Sequence, residues 1–255
     1  MEMSIQNKLK LYKKNTDIRR HESGDRWYAP KGSNVWRPSV TTIIGATIHK
    51  GIGFDQWLGN KPSYKIACEE RDIAANRGTK VHKLAELYML GNIVEAETEE
   101  IGKHMMSFEK FWLENEVQLI ATELFMWDKD VPWAGTCDII AKIGKDYCLI
   151  DIKTGNQYKS HEIQLNMYAE LYNTIAEEYD IPKVTKLYGL YTKGKWIREP
   201  NYGFKNFKFN LEVAMSTYNL WKFLIGGNPW PKMKVKVKTS FQIGGRNESE
   251  KLSEL

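Results

Sequence analysis

Three apolar runs in close succession constrain the fold more than any other feature of this 255-residue chain. Each run has the length of a β-strand and is rich in β-branched or aromatic residues, and the connections DKDVP and GKD suit hairpins. The runs, which lie between Val117 and Lys153, are VQLIATELFMW, WAGTCDIIAKI and YCLIDIK. They predict a three-stranded antiparallel meander.

Helical periodicity precedes and follows this meander. Apolar residues recur with helical spacing over 64–90, which predicts two helices or one that breaks near Gly78, and again over about 101–116. After the meander, residues 161–178 have helical spacing without Gly or Pro, VTKLYGLYTK is typical of a strand, and a helix is expected over about 210–225. The order predicts an α/β domain in which helices flank a central mixed sheet of four or five strands.

The chain is long enough for one compact domain with additions at its ends. Residues 1–37 form an N-terminal lead-in, in which WYAPKGSNVW predicts a hairpin, and residues 38–232 form the domain itself. Residues 233–255 begin as a basic strand and end as a polar tail. Trp27, Tyr28 and Trp36 are candidates for stacking on single-stranded bases.

Composition argues against several classes of protein. The chain's three cysteines, Cys68, Cys137 and Cys148, show no CxxC spacing and cannot all pair, which disfavours a disulfide framework or a zinc ribbon. No apolar run approaches the roughly 18 residues of a membrane span. We therefore expect a soluble protein without a membrane partner, in the cytoplasm of a bacterium or of a phage-infected cell. The formal net charge of +5 suits a polyanionic partner, but also many proteins that bind none.

Two carboxylates and an amine lie on the second and third predicted strands. Asp138 belongs to GTCDII, and Asp151 and Lys153 end the run LIDIK. Neighbouring strands are about 5 Å apart, so residues that face the same way can hold one ion between them. Asp151 and Lys153 share a face, and the carbonyl of Ile152 remains available. These oxygens suit Mg²⁺. Lys153 could orient a water molecule bound to that ion, or stabilise the charge that develops on a phosphate under attack.

Other side chains could complete this site. Gln164 and Tyr168 are four residues apart, hence on one face of the helix that follows the third strand. A neutral imidazole of His82 could complete a coordination sphere, and Glu123 could act from the first strand. Each of these assignments has a simpler alternative. His82 could be an ordinary helix histidine, and Gln164 and Tyr168 could merely cap and pack their helix. Candidates for phosphate or base contacts are Arg77, Lys80, Thr154, Tyr158 and Lys159.

The succession RGTKVH, GTCD, LIDIKTG and QLNMY resembles the RecB-like branch of the PD-(D/E)XK nuclease superfamily. With PSVTTIIG ahead of it, the chain looks most like mitochondrial genome maintenance exonucleases and phage-type exonucleases. The resemblance implies a restriction-endonuclease-like core with an N-terminal helical wall over the active site. It also implies that Lys153 is catalytic and that one or two Mg²⁺ or Mn²⁺ ions are bound by His82, Asp138, Asp151 and the Ile152 carbonyl.

The activity implied by this resemblance is exonucleolytic hydrolysis of DNA from single-stranded ends, in replication, recombination or repair. The chain departs from the motif in having Cys137 where proline is usual, and its second acid is Asp rather than Glu. Related nucleases of CRISPR adaptation hold an iron–sulfur cluster on four cysteines, so we expect no cluster on three. A structure-specific endonuclease and a nucleic-acid-binding accessory protein that cuts nothing are the alternatives.

Overall fold

The computed structural model describes residues 3–15, 18–22 and 25–227. In chain order its elements are α1 (Ile5–Asn15), β1 (Ile18–Glu22), β2 (Arg26–Pro30), β3 (Arg37–Pro38), α2 (Val40–Thr47), α3 (Ile52–Gly59), α4 (Tyr64–Met89), α5 (Glu99–Glu114), β4 (Gln118–Trp127), β5 (Ala134–Ile143), β6 (Asp146–Lys153), α6 (Lys159–Glu178), β7 (Lys186–Thr192), β8 (Tyr202–Phe207) and α7 (Leu211–Leu224). The predicted basic strand and tail over 233–255 lie outside the described residues.

A mixed sheet with the strand order β4, β5, β6, β7, β8 is the centre of the fold. β4, β5 and β6 form the predicted antiparallel meander. β7 then runs parallel to β6, and β8 pairs with β7 in the antiparallel sense. Parallel neighbours need a crossover, which α6 provides. The predicted α/β class, with helices flanking a central mixed sheet, is confirmed.

Helices cover both faces of this sheet because its central strands are apolar on both sides. Ile150 of β6 packs in one apolar cluster with Val81 of α4 and Phe108 of α5. Leu149, which faces the other way, packs in a second cluster with residues of α2, α6 and α7, such as Leu171. The end of β6 is therefore held between α4 on one face and α6 on the other.

Strands β1, β2 and β3 form a small antiparallel sheet, in which β2 pairs with β3; β3 begins at Arg37, just after the run WYAPKGSNVW over which a hairpin was predicted. The aromatic residues of the lead-in do not form the stacking surface that the sequence suggested. Trp27 is buried against Trp221, and the Tyr28 ring packs against Phe125. Trp36 packs against the same apolar cluster as α6. These rings stabilise the attachment of the lead-in to the domain.

Helix α4 is one unbroken helix of 26 residues, so the predicted break near Gly78 is wrong. The Ser63 side chain caps its first turn, and its buried stripe continues past the glycine through Val81 and Ala85. A glycine inside a helix costs only about 1 kcal/mol relative to alanine, which such packing exceeds.

No helix in the described part of the chain is long and apolar enough to cross a membrane.

Candidate active site

A cleft of about 630 Å³ lies where β4, β5 and β6 meet α4 and α6. Every residue predicted to be catalytic or metal-binding lines this cleft: His82, Glu123, Asp138, Asp151, Ile152, Lys153, Gln164 and Tyr168. The loop that follows β6 forms part of its rim, and α4 forms the helical wall opposite. We call this site the cleft.

On the α6 side of the cleft, four polar side chains form a connected network. Lys153 Nζ forms an ion pair with Asp151 Oδ2 and lies 3.2 Å from Gln164 Oε1. The Gln164 amide donates to Asp151 Oδ1 and to Tyr168 Oη, at 3.2 Å in each case. The spacing of two along a strand and of four along a helix puts each pair on one face, which is why the four side chains meet.

Gly135 of β5 allows α6 to approach this closely. A Cβ atom at this position would lie 2.6 Å from Cε1 of Tyr168 and 3.4 Å from Cγ2 of Val40. Any side chain there would displace the Tyr168 ring, and with it the oxygen to which Gln164 donates. The glycine that opens GTCD therefore positions the network, a role that the sequence did not reveal.

On the α4 side, His82, Glu123 and Asp138 form a second cluster, whose ligand atoms all lie within 4.8 Å of one another. His82 Nδ1 lies 3.4 Å from Asp138 Oδ1. The main-chain N–H of Ile152 donates to Asp138 Oδ2 at 2.6 Å, which fixes this carboxylate between β5 and β6. Glu123, predicted as a catalytic neighbour, is thus also a candidate metal ligand.

The backbone is irregular at this second cluster. Glu123 has a φ angle of 45°, in the left-handed region, and lies opposite Asp138 in the register of β4 and β5. Cys137 and Ile140 pack in the same apolar cluster, although strict alternation would put residues three apart on opposite faces. Backbone strain of this kind costs on the order of 1–3 kcal/mol and concentrates at functional sites. Packing alone therefore does not explain the left-handed conformation of Glu123.

Burial and neighbouring charges shift the pKa values of these groups in different directions. Burial lowers the pKa of His82, but the Asp138 carboxylate outweighs it and raises that pKa to about 9. Burial disfavours the Asp138 carboxylate, yet His82 brings its pKa below the usual value. Burial raises the pKa of Asp151, and burial followed by the charge of Asp138 raises that of Glu123 to about 7. A cation in the cleft would relieve the mutual repulsion of these carboxylates.

The donor atoms of the cleft fit a hard divalent cation. Carboxylate oxygens suit Mg²⁺ or Mn²⁺, and the His82 imidazole can join them only by losing its proton, because a pKa of about 9 keeps it charged at neutral pH. Asp151 Oδ2 is buried beside the Lys153 ammonium group, but accepts no hydrogen bond of good geometry within the described part of the chain. Buried polar atoms in that condition are uncommon and call for an explanation, of which a bound ion is one. His82 and Asp138 are in contact, and Asp151 lines the same cleft from the neighbouring strand.

The structure places only some of the residues predicted to contact DNA in the cleft. Thr154 and Tyr158 line the cleft. Arg77 pairs with Glu100 at 2.9 Å and Lys80 pairs with Glu97, so both tie α4 to α5 or to the loop before it. Lys159 lies outside the lining, and its exposed side chain is 3.6 Å from Glu162.

The lining also contains side chains that the sequence did not single out, namely Arg26, Thr41, Glu86 and His161. His161 Nδ1 lies 3.0 Å from Tyr191 Oη and accepts from the N–H of Tyr158 at 3.4 Å. Burial, then the nearby charge of Lys153, lowers the pKa of His161 to about 3, so the imidazole is neutral. By accepting the Tyr158 N–H, the His161 side chain caps the start of α6. Its position in the first turn of α6 is the only sequence signal for this role.

No protein-family model and no curated protein sequence matches the chain. Among solved structures, it is similar to an alkaline exonuclease from Laribacter hongkongensis, with 8% identity and a TM-score of 0.36, over 74% of this chain and 86% of that one. It is also similar to the protein SSO0001, with 13% identity and a TM-score of 0.31, over 60% of this chain and 88% of that one. At these values neither likeness assigns a function.

Proposed function

We propose that this protein is a metal-dependent nuclease that hydrolyses phosphodiester bonds in DNA, as an exonuclease acting on single-stranded ends. One observation carries the proposal: a cluster of His82, Glu123 and Asp138 faces the network of Asp151 and Lys153 within one cleft. Candidate metal ligands thus lie beside a cationic side chain, the combination that phosphoryl transfer requires.

His82, Glu123, Asp138, Asp151 and the Ile152 carbonyl are the proposed metal-binding groups, for one or two ions. When bound, a divalent cation such as Mg²⁺ or Mn²⁺ supplies positive charge that attracts the phosphate and favours attack on phosphorus. The protein's own contribution begins with Asp138, whose orientation is fixed by the Ile152 N–H. A preorganised carboxylate needs no reorientation when the substrate arrives.

Lys153 is the proposed catalytic cation. Its ammonium group is held by Asp151 and by Gln164 Oε1, so it enters the cleft from a fixed position on β6. There it can hold the attacking water in line with the scissile bond and stabilise the charge that spreads over the phosphate oxygens. Gln164 and Tyr168 position this lysine and Asp151 rather than react themselves.

Burial of the acids argues against a protein that only binds nucleic acid. Asp151 is 1% exposed and Asp138 is 8% exposed. Burying carboxylates costs several kcal/mol per ion unless they are well compensated, and phosphate binding has no use for them. A metal-dependent hydrolase uses buried carboxylates, because their oxygens bind the cation and offset its charge.

The test is a cleavage assay with 5′-labelled and 3′-labelled linear single-stranded DNA and with a circular single strand, each with Mg²⁺, Mn²⁺ or EDTA. Degradation of the linear strands but not of the circle, lost in EDTA, is the expected result, and the label released first gives the polarity. Cutting of the circle would instead show an endonuclease. Absence of cleavage of single-stranded, duplex and branched DNA with either metal would overturn the proposal.

A further inference from the structure

A second depression, which we call the groove, lies beside the cleft and has a volume of about 870 Å³. Its wall includes Phe54 and Trp57 of α3, and Lys50, Arg71 and Arg77 bring three cationic side chains to it against one acidic side chain, that of Glu70. The groove is therefore aromatic and lined by cationic side chains, of which Arg71 pairs with Asp72 at 2.8 Å and Arg77 with Glu100 at 2.9 Å.

Helix α3, which carries the aromatic wall, is apolar but not part of the core. Its sequence is IGFDQWLG, and none of its eight residues is buried. Phe54 and Trp57 stack on each other, with ring centroids 5.4 Å apart and an interplanar angle of 25°. Phe54 and Trp57 are half-buried, yet they pack on each other rather than into either apolar cluster of the core, so the core does not explain their position.

Cationic side chains accompany both rings. Lys50 Nζ lies 4.7 Å from the centroid of the Phe54 ring, and Lys61 Nζ lies 5.1 Å from that of Trp57. Such a contact contributes about 0.5–1 kcal/mol at an exposed site, whereas a nucleic-acid base stacked on an aromatic ring contributes about 1–3 kcal/mol. A base can therefore displace the Lys50 ammonium group, which then becomes available to a phosphate, whereas Lys61 Nζ is also paired with Glu70 Oε2 at 2.5 Å.

The groove and the cleft share a wall, formed by Ala74, Ala75, Tyr158 and residues 154–156. A strand whose scissile phosphate lies at Asp151 and Lys153 can therefore continue across this wall into the groove. In a duplex the bases are stacked and paired with each other, so rings in the groove can be reached only by unpaired bases. A nucleic-acid strand also brings phosphate groups to the cationic side chains of the groove, which a peptide without acidic side chains does not.

We infer that the groove is a stacking site for the unpaired bases of a nucleic-acid strand that enters the cleft, with Phe54 and Trp57 as the platform. This inference rests on the proposed nuclease function and deepens it, because it explains how single-stranded substrate would be selected. It also replaces Trp27, Tyr28 and Trp36 as the aromatic contact surface.

The test measures binding without cleavage. The full chain is titrated in EDTA against two fluorescein-labelled strands of equal length, oligothymidine and an abasic strand with the same backbone, and anisotropy is recorded. Trp57→Ala should weaken binding of oligothymidine by about 5-fold to 100-fold and leave binding of the abasic strand unchanged. Trp57→Phe should retain most of the affinity.

Trp196→Ala is the matched control. Trp196 is also partly exposed and also has a lysine over its ring, with Lys103 Nζ 5.5 Å from the centroid, but it lines neither the groove nor the cleft. It should bind both strands like the wild type. Circular dichroism should show native melting for Trp57→Ala, since α3 has no buried residue.

The inference would be overturned if Trp57→Ala bound oligothymidine like the wild type, if the wild type bound both strands equally, or if Trp196→Ala lost as much affinity. Cleavage by the wild type is scored separately. A wild type that cleaves DNA with Mg²⁺ but fails the binding test retains the nuclease function and loses the groove. One that passes the binding test but cleaves nothing retains the groove and loses the nuclease function.

Discussion

The cleft and the groove are neighbours with opposite construction. In the cleft, Asp138 and Asp151 are buried within a five-stranded sheet and are fixed by neighbouring strands and helices. In the groove, Phe54 and Trp57 belong to a short helix without buried residues. Chemistry requires charges held in one geometry away from bulk water, whereas contact with successive bases requires surfaces that adapt. This difference predicts that the proposed bond cleavage and the proposed strand binding can be altered separately.

Asp151→Asn should have the largest effect. The substitution keeps the side-chain volume but removes the charge that pairs with Lys153 and contributes to the proposed metal site. A loss of about 4 kcal/mol in transition-state stabilisation would lower kcat by roughly 10³-fold. Steady-state cleavage with Mg²⁺ measures it, and anisotropy in EDTA should show nearly unchanged strand binding. A variant that cleaves at the wild-type rate would remove Asp151 from the catalytic site.

Trp57→Ala should give the converse result in the same cleavage assay. Because the ring lies in the groove and not in the cleft, its loss should raise KM about 5-fold to 100-fold and leave kcat nearly unchanged. Initial rates over a range of single-stranded DNA concentrations separate the two constants. A fall in kcat with an unchanged KM would mean that the two regions do not divide the work in this way.

The same contrast shows what the sequence could and could not predict. Asp151 with Lys153, and Gln164 with Tyr168, could be paired from the sequence because strand and helix periods alone determine which side chains share a face. The meander and α6 followed from long, regular apolar patterns. Such local rules hold wherever the contacts are close in sequence.

Contacts between distant segments did not follow from those rules. Glu123 joins His82 and Asp138 through a left-handed backbone position that no pattern in β4 indicates. Helix α3 is too short for a periodic signal, so the groove was not predicted. Trp27 was expected at the surface, but the packing of α7 against the lead-in buries it.

Tyr168→Phe should have a small effect on the cleft alone. It removes the oxygen to which Gln164 donates, while Gln164 keeps its hydrogen bond to Asp151. A hydrogen bond of this kind contributes about 0.5–1.5 kcal/mol, which corresponds to a fall in kcat of roughly 2-fold to 12-fold. Single-turnover cleavage measures the change, and affinity for oligothymidine should be that of the wild type. A loss as large as that of Asp151→Asn would make Tyr168 a participant in the reaction.

On stability, Glu123→Gly should have a small and favourable effect. The left-handed φ of 45° is strained for Glu but not for Gly, and the substitution removes a carboxyl group that faces Asp138. Relief of about 1 kcal/mol would raise Tm by roughly 2–4 °C in a chain of this size, while cleavage falls. Ala121→Gly, at a strand position paired with Ile140, is the control and should lower Tm, because it removes a methyl group that packs against the core and adds conformational entropy to the unfolded chain. If both glycines lowered Tm equally, the strain at Glu123 would not be a cost that the cleft imposes on the sheet. If only Ala121→Gly lowered Tm, the strained backbone at Glu123 would be a cost that the fold tolerates for the sake of the site. Trp57→Ala, by contrast, should leave Tm unchanged, because the groove imposes no such strain.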